Sequence, residues 1–527
     1  MKTLNHTNFQ SDGEIKTRQT ALFNRLHDDI YMPHYVFTAD QNGWPGDWEG
    51  RTILALVSLA KVLKEEPKYL DGIIENLKDH LNEKGYLGHV LPKGTADEQQ
   101  LSGHSWLLRG LCEYYRYKKD ESVLETIKGI VKNLFLPLRK NYETYPILPE
   151  QRVYEGHESG SVAGMVNNWY ISTDTGCAFI PLDGISDAYE LMLDVDKDLA
   201  RELRYMLGFM IDKFMTIPFT EICVQTHATL TGLRGMMRMF KHMRNHVYLS
   251  FVKDTFDLYI NEGMTANFAN YNWFGRPEWT EPCAIIDSFM LACQLYKETA
   301  EQRYADYANY ILYNGIYRSQ RENGGFGTDN CAGPEDDYVI PTNYEAYWCC
   351  TMRGGEGLFA VSQYSLLERG KDIVMIYPVS GIYQVKGITM HIRTDYPKSG
   401  NISITIFENN SDKNVTMEFM MFRTYVDVKF LYNFKQRKII ITKDKNEYLI
   451  DFKLPIYYKL AEGKHNKKDK KLLMRGPAIL GSLSPVSVPN ELSNIVVEEF
   501  IPLYDTSFTR PRNRVEKDKI YILFDGQ

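Results

Sequence analysis

The apolar residues of this chain change their spacing once, near residue 370, and no other feature constrains the fold as strongly. From about Arg51 to Arg369 they recur every three and four positions: Ile53, Leu54, Leu56, Val57, Leu59, Ala60 and Val62 set the pattern, and Trp106, Leu107, Leu108, Leu111 and Tyr115 repeat it. Further amphipathic helices are predicted near 122–136, 184–194, 198–216, 228–243, 248–261, 284–298, 303–319 and 354–367, divided by loops carrying Gly, Pro and Asn. An even series of paired helices with no strand pattern implies an α/α toroid, and the lack of a motif at constant period argues against a solenoid. Beyond about Lys371 the spacing becomes two, as in Ile373-Val374-Met375-Ile376-Tyr377, Ile402-Ser403-Ile404-Thr405-Ile406, Lys438-Ile439-Ile440-Ile441 and Ile495-Val496-Val497. Turn chemistry at Pro397-Lys398-Ser399-Gly400-Asn401 and Glu408-Asn409-Asn410-Ser411 makes this part an antiparallel β-sandwich. The chain reads as multidomain α+β, with a helical barrel over 1–370 and a C-terminal β-sandwich over 371–527.

Cysteine placement carries the most chemistry. Cys349 and Cys350 are adjacent, and Glu281-Pro282-Cys283 supplies a carboxylate and a third thiol. Three thiols and a carboxylate make a complete tetrahedral set for zinc, so Glu281, Cys283, Cys349 and Cys350 are the candidate ligands. The same spacing is met by two buried cysteines at the start of a helix, since free cysteine is among the most buried residue types. Cys112 and Cys293 lie in apolar helical patterns, and eight cysteines in 527 residues do not form a disulfide framework.

Charge and length exclude some partners. With 61 basic and 68 acidic residues the net charge is -7, which disfavours a nucleic-acid partner, and the Lys464 to Lys471 run reads as a solvated turn. No stretch approaches the length of a membrane span, and Met1-Lys2-Thr3-Leu4-Asn5-His6 lacks an apolar signal core. The expectation is a soluble protein, cytoplasmic or periplasmic, with no membrane partner; a homodimer is left open. Aromatic residues, 13% of the chain, suit carbohydrate clefts as well as helical cores.

Three histidines stand at helix openings: His104 after Gln99-Gln100-Leu101-Ser102-Gly103, His157 in Tyr154-Glu155-Gly156-His157-Glu158, and His227 in Val224-Gln225-Thr226-His227. Each reads singly as a satisfied structural histidine; their matching positions favour all three facing one mouth of the barrel, where imidazoles bond sugar hydroxyls or hold a catalytic group in its reactive ionisation state. Trp44-Pro45-Gly46-Asp47-Trp48-Glu49-Gly50-Arg51 adds indole faces for a sugar ring, Trp48 among them, and reads equally as a loop that opens a helix. Gly324-Gly325-Phe326-Gly327 is not a phosphate loop, since no strand precedes it; it reads as a mobile lid or barrel-mouth loop with Asp329, Glu335, Asp336 and Asp337 as solvated acids.

With these residues assembled, the chain resembles the zinc-dependent β-L-arabinofuranosidase group of glycoside hydrolases, family 127 and its relatives. The resemblance rests on Glu281-Pro282-Cys283, Cys349-Cys350 and the three ordered histidines, and extends to Thr394-Asp395-Tyr396-Pro397 and Met474-Arg475-Gly476-Pro477. It implies an (α/α)6 barrel, one zinc ion, a carbohydrate substrate and a retaining mechanism with Cys349 as nucleophile. Zinc ligation would ionise a thiol that otherwise titrates near 8.5.

Two departures from the family pattern stand out. The family's acid/base glutamate lies in a loop before the zinc glutamate, but here that stretch reads Met264-Thr265-Ala266-Asn267-Phe268, without a carboxylate. Glu278 and Glu262 are the expected substitutes, Glu278 favoured because adjacent aromatic residues would raise its pKa. After the cysteine pair comes Thr351-Met352-Arg353-Gly354-Gly355, where Arg353 offers a fork of donors for an acidic sugar or simply pairs with a nearby acid of the protein. Two alternatives accompany the expected furanosidase: a glycosidase using two carboxylates with a structural zinc, and a glycan-binding relative without turnover.

Overall fold

The computed structural model describes residues 1–38, 43–152, 157–421, 437–508 and 519–525. Twelve helices of ten or more residues fall in the first 364 positions: α1 Gly13–Arg25, α2 Asp47–Leu63, α3 Leu70–His80, α4 Glu98–Lys118, α5 Glu121–Ile130, α6 Pro181–Val195, α7 Lys197–Phe214, α8 Thr226–Met243, α9 His246–Leu258, α10 Pro282–Thr299, α11 Gln302–Ile311 and α12 Cys350–Tyr364. Six of them, α2, α4, α6, α8, α10 and α12, form an inner ring in which each packs on the next and α12 packs back on α2. Each inner helix is backed by an outer one, the last of these being α1 from the start of the chain, which lies against α12. The arrangement is an (α/α)6 barrel.

Local chemistry sets the helix boundaries. Asp97 caps α4, its Oδ1 accepting from the Gln99 and Gln100 amides, and Asp196 caps α7 through the Leu199 amide. Proline occupies the first turn of α6 and α10, where its missing N–H costs nothing. The inner helices are buried nearly all round: α2 is covered along almost its whole length, as a helix between a barrel axis and an outer layer must be. The predicted helix ends at 122–136, 248–261 and 303–319 include wider single turns, at Val131–Phe135, Tyr259–Gly263 and Leu312–Ile316, that continue α5, α9 and α11.

Strands follow. β1 Lys2–Thr3 and β2 Phe9–Ser11 precede the barrel; after it come β3 Leu366–Arg369, β4 Asp372–Met375, β5 Gly381–Val385, β6 Ile388–Thr394, β7 Ile402–Asn409, β8 Val415–Phe419, β9 Lys438–Ile441, β10 Glu447–Ile450, β11 Ile456–Leu460, β12 Lys471–Arg475, β13 Ala478–Gly481 and β14 Ile501–Pro502. One sheet has the order β1-β3-β4-β8-β9, a second β10-β7-β6-β5-β2, and a third β11-β12-β13-β14. Alternation is visible in burial: Ile402, Ile404 and Ile406 of β7 point into the core while Ser403 and Thr405 are half-exposed. The sheets are not wholly antiparallel, because β4 and β8 run parallel, Ile373 opposite Met417.

Two local expectations fail. Ile495-Val496-Val497 forms no strand; short 3₁₀ turns flank it, with Ile495 and Val497 packed on a small cluster around Leu473, Leu480 and Phe524. Beside the glycine loop at 324–327, Glu335 is exposed and Asp336 and Asp337 are partly exposed, but the loop itself is packed and Asp329 is not solvated. A Cβ at Gly325 would lie 2.3 Å from Glu345 and one at Gly327 2.2 Å from the Tyr344 carbonyl, so these glycines permit close packing. Asp329 beside them is buried between Arg318 at 2.8 Å and Arg321 at 2.8 Å.

Candidate active site and metal centre

Four inner helices open at the same end of the barrel, with Asp47 beginning α2, His227 in the first turn of α8, Glu281 immediately before α10 and Cys349 immediately before α12. Their openings surround a cavity of about 460 Å³ whose walls include Trp44, Trp48, Trp279 and Trp348 and whose polar lining includes Asp47, Arg51, Asp174, Gln225, His227, Glu281 and Cys349. That volume lies within the range of small-molecule sites.

At the floor of the cavity, the ligand atoms of Glu281, Cys283, Cys349 and Cys350 all lie within 4.8 Å of one another. The Cys283 and Cys350 sulfurs are 3.6 Å apart and those of Cys349 and Cys350 3.2 Å. Donors about 2.3 Å from a tetrahedral ion are separated by about 3.8 Å, so the four groups have the spacing and the chemistry of a metal shell. Cys283 and Cys350 are fully buried, and Cys349 is the member of the three thiols that borders the cavity.

Surrounding groups fix this set in place. The Asn270 Oδ1 accepts from the Glu281 amide at 2.8 Å, Gln225 Nε2 donates to Glu281 Oε2 at 3.4 Å, and His227 Nδ1 lies 3.3 Å from Glu281 Oε1. Arg51 Nη1 donates to Cys283 Sγ at 3.3 Å and is paired with Asp47 at 2.8 Å. Below, His227 Nε2 lies at ion-pair distance from Asp287, 3.4 Å, and Asp287 is held by Arg234 at 2.5 Å and Arg353 at 2.6 Å. Such outer partners orient ligating groups as much as the ligands themselves do.

The charges divide the thiols. Hydrogen bonds from Cys283 and Cys350 bring the Cys349 thiol down to about 6 against the opposing effect of burial. Its place at the N-terminus of α12 favours the anion as well. Burial pushes Cys283 and Cys350 up, leaving the negative charge on the sulfur that faces the cavity. Burial alone would push His227 down; the charges of Glu281 and Asp287 outweigh it and raise the imidazole to about 10.

Residues 236–363 match the model of the β-L-arabinofuranosidase GH127 catalytic domain, a segment that runs from α8 through the metal cluster to α12. Over this quarter of its length the chain is similar to the GH127 group of glycoside hydrolases. Solved structures share its fold from end to end. A structure titled glycoside hydrolase superposes with a TM-score of 0.66 at 13% identity, covering 100% of this chain and 98% of the other. A GH127 β-arabinofuranosidase gives 0.68 at 12% identity, with 100% and 98% covered. A GH127 β-L-arabinofuranosidase from Geobacillus stearothermophilus T6 gives 0.67 at 12% identity, with 99% and 100% covered. A search of curated proteins returned no match.

In this protein the residues singled out by sequence separate into two sets. Trp48, His227, Glu281 and Cys349 line the cavity, with Cys283 and Cys350 directly behind them. The others do not line it. His104 is buried with both ring nitrogens engaged: Nε2 accepts from the Leu87 amide at 2.9 Å and Nδ1 bonds the Gln100 carbonyl at 2.8 Å. His157 is exposed on a loop. Arg353 lies under the cavity, stacked on Trp106 and paired with Asp287 and Glu356, so its fork is spent on protein carboxylates.

The expected acid/base substitutes also lie elsewhere. Glu278 is 61% exposed and paired with Arg276 at 3.0 Å, so no apolar wall surrounds it. Glu262 is turned toward the strand region, against His465 at 3.0 Å and Lys464 at 3.2 Å. Asp174 and Trp348 of the lining both escaped the sequence. Asp174, in Ser172-Thr173-Asp174-Thr175-Gly176, reads as a turn before a helix, which is the commonest use of that composition. Proximity to Glu281 across the cavity has no sequence signature.

Proposed function

We propose that this protein is a retaining glycoside hydrolase that removes terminal furanose residues, β-L-arabinofuranose or a related sugar, from plant-type glycans, with Cys349 as nucleophile and a zinc ion as cofactor. The observation that carries the reading is the Glu281, Cys283, Cys349 and Cys350 set at the floor of a tryptophan-walled cavity, with the most acidic thiol on the cavity side. The family matched by residues 236–363, and the names of two solved relatives, support the choice of sugar. Zinc held by these four residues would keep the thiols ionised at neutral pH and lend charge stabilisation to the cluster.

The remaining chemistry belongs to the chain. Cys349 Sγ attacks the anomeric carbon and the glycosidic C–O bond breaks with a proton delivered to the departing oxygen; water then displaces sulfur from the same carbon, with net retention. Arg51 counters negative charge on the sulfurs, and His227 holds Glu281 between Gln225 and the cavity floor. The indoles of Trp44, Trp48, Trp279 and Trp348 exclude water and offer faces to the sugar ring.

The test combines metal analysis with turnover. One zinc per chain, release of 4-nitrophenol from a β-L-arabinofuranoside or a close furanoside, and loss of that release in Cys349→Ser are expected. Mass spectrometry of wild-type protein quenched during turnover should show one added pentosyl mass on the peptide containing Cys349. Protein purified without metal, or Cys349→Ser retaining substantial hydrolysis, refutes the cysteine mechanism and favours two carboxylates.

A further inference from the structure

A retaining hydrolase needs a group that first gives and then takes a proton, and the loop at 264–268 has no carboxylate to do it. Among the described residues, the carboxyl groups bordering the cavity are Asp47, Asp174 and Glu281. Glu281 belongs to the metal set, and Asp47 is committed to Arg51 at 2.8 Å. Asp174 is committed to nothing: its Oδ1 is closed off from solvent and has no hydrogen-bond partner among the described residues.

The backbone around Asp174 is firmly held. Its amide donates to Ser172 Oγ at 3.1 Å, its carbonyl accepts from the Cys177 amide at 3.1 Å, and the next carbonyl, of Thr175, accepts from the Gln225 amide at 2.9 Å. An aspartate in such a turn normally caps a neighbouring amide, but the caps of the Cys177–Phe179 turn and of α6 involve no side chain. The backbone is held, and among the described residues no hydrogen bond engages the buried Oδ1 of the carboxyl. We propose that Asp174 is the general acid and base of this enzyme, standing in for the glutamate that the 264–268 loop lacks; the assignment rests on the cysteine-nucleophile reading above.

In the first step the Asp174 carboxyl donates its proton to the glycosidic oxygen as Cys349 Sγ bonds to the anomeric carbon and the alcohol departs. In the second, the Asp174 carboxylate takes a proton from water as the water oxygen bonds to that carbon and the C–S bond breaks, restoring thiolate and acid. Atoms and charge balance over the cycle. The surroundings suit the role: burial, with the negative charges of Glu281, Glu98 and Asp47 added and that of His227 opposing, raises the carboxyl to about 7. An acid near the working pH is most effective in both directions.

The experiment compares wild type with Asp174→Ala, Asp174→Asn and Asp47→Ala, on a 4-nitrophenyl furanoside and on the matching methyl furanoside, with and without sodium azide. For the Asp174 variants, kcat/KM on the methyl glycoside should fall by about 100-fold or more, and far less on the nitrophenyl glycoside, whose leaving group needs no proton. Azide should then raise turnover of the nitrophenyl glycoside and yield a glycosyl azide of retained configuration. The decline of kcat/KM on the basic side of neutrality should also vanish. Zinc content and thermal melting matching wild type establish that the variants are folded, and Asp174→Asn serves if Asp174→Ala is not. An active wild type whose Asp174 variants keep its leaving-group dependence and pH profile overturns this assignment alone, as does azide rescue of Asp47→Ala instead. A wild type that turns over no furanoside overturns the underlying reading and this assignment with it.

Discussion

At the residue scale, the cavity divides its histidines by environment. The Glu281 and Asp287 carboxylates that flank His227 raise its pKa against burial, whereas burial leaves His104 only backbone partners and lowers its pKa to about 4. The sign of the second effect is checkable. An unfolded chain would protonate His104 near 6.5, while the folded protein does so only near 4, so stability is lost as pH falls through that window. Between pH 6.5 and 5 the loss from this residue is about 2 kcal/mol. Urea melts at the two values should show it, and His104→Gln, less stable at neutral pH for want of matched bonds to Leu87 and Gln100, should show that much less acid sensitivity. A variant as acid-sensitive as wild type would place the effect elsewhere.

At the element scale, the small-residue run after the cysteine pair is a packing device. A Cβ at Gly355 would meet Ala55 Cα and Cβ of α2 at 2.7 Å, and one at Gly357 would meet Ile286 of α10 at 2.9 Å. These glycines let α12 nest between its two ring neighbours, so the first turn of α12, with Cys350, reaches Cys283 of α10. Gly355→Ala should cost about 1–3 kcal/mol in overpacking and lower zinc affinity together with stability. Metal titration of the folded variant would expose the coupling; unchanged affinity in a destabilised protein would show that the helix shifts without moving its first turn. The run was visible in sequence, but its partners were not, because Ala55 lies some 300 positions away.

At the scale of the whole molecule, periodicity made the ring of helices and most of the strands legible, since both are written in spacing. The metal set was legible because Glu281-Pro282-Cys283 and Cys349-Cys350 are short, chemically distinct phrases. What escaped depended on long-range placement: the burial of His104 and Arg353, the outward turn of Glu278, and the approach of Asp174 to the cavity. The role of the N-terminus escaped for the same reason. β1 pairs with β3 and β2 with β5, so the first eleven residues form an edge of each five-stranded sheet. Deleting residues 1–11 should lower the melting temperature and promote aggregation through the newly bare edges of β3 and β5, measurable by light scattering during a thermal ramp.

The pairing of α1 with α12 has a consequence for biosynthesis. The outer layer is completed by a helix made among the first 25 residues, and its inner partner is not made until residue 364. During translation α1 must therefore wait, its apolar face unshielded by that partner, while ten other helices emerge and pack. The two cysteines that complete the candidate metal set leave the ribosome at the same late moment, so ring closure and assembly of that set belong to a single terminal event. A chain cut short before its last helix would then meet the cell as a nearly finished barrel with an open seam.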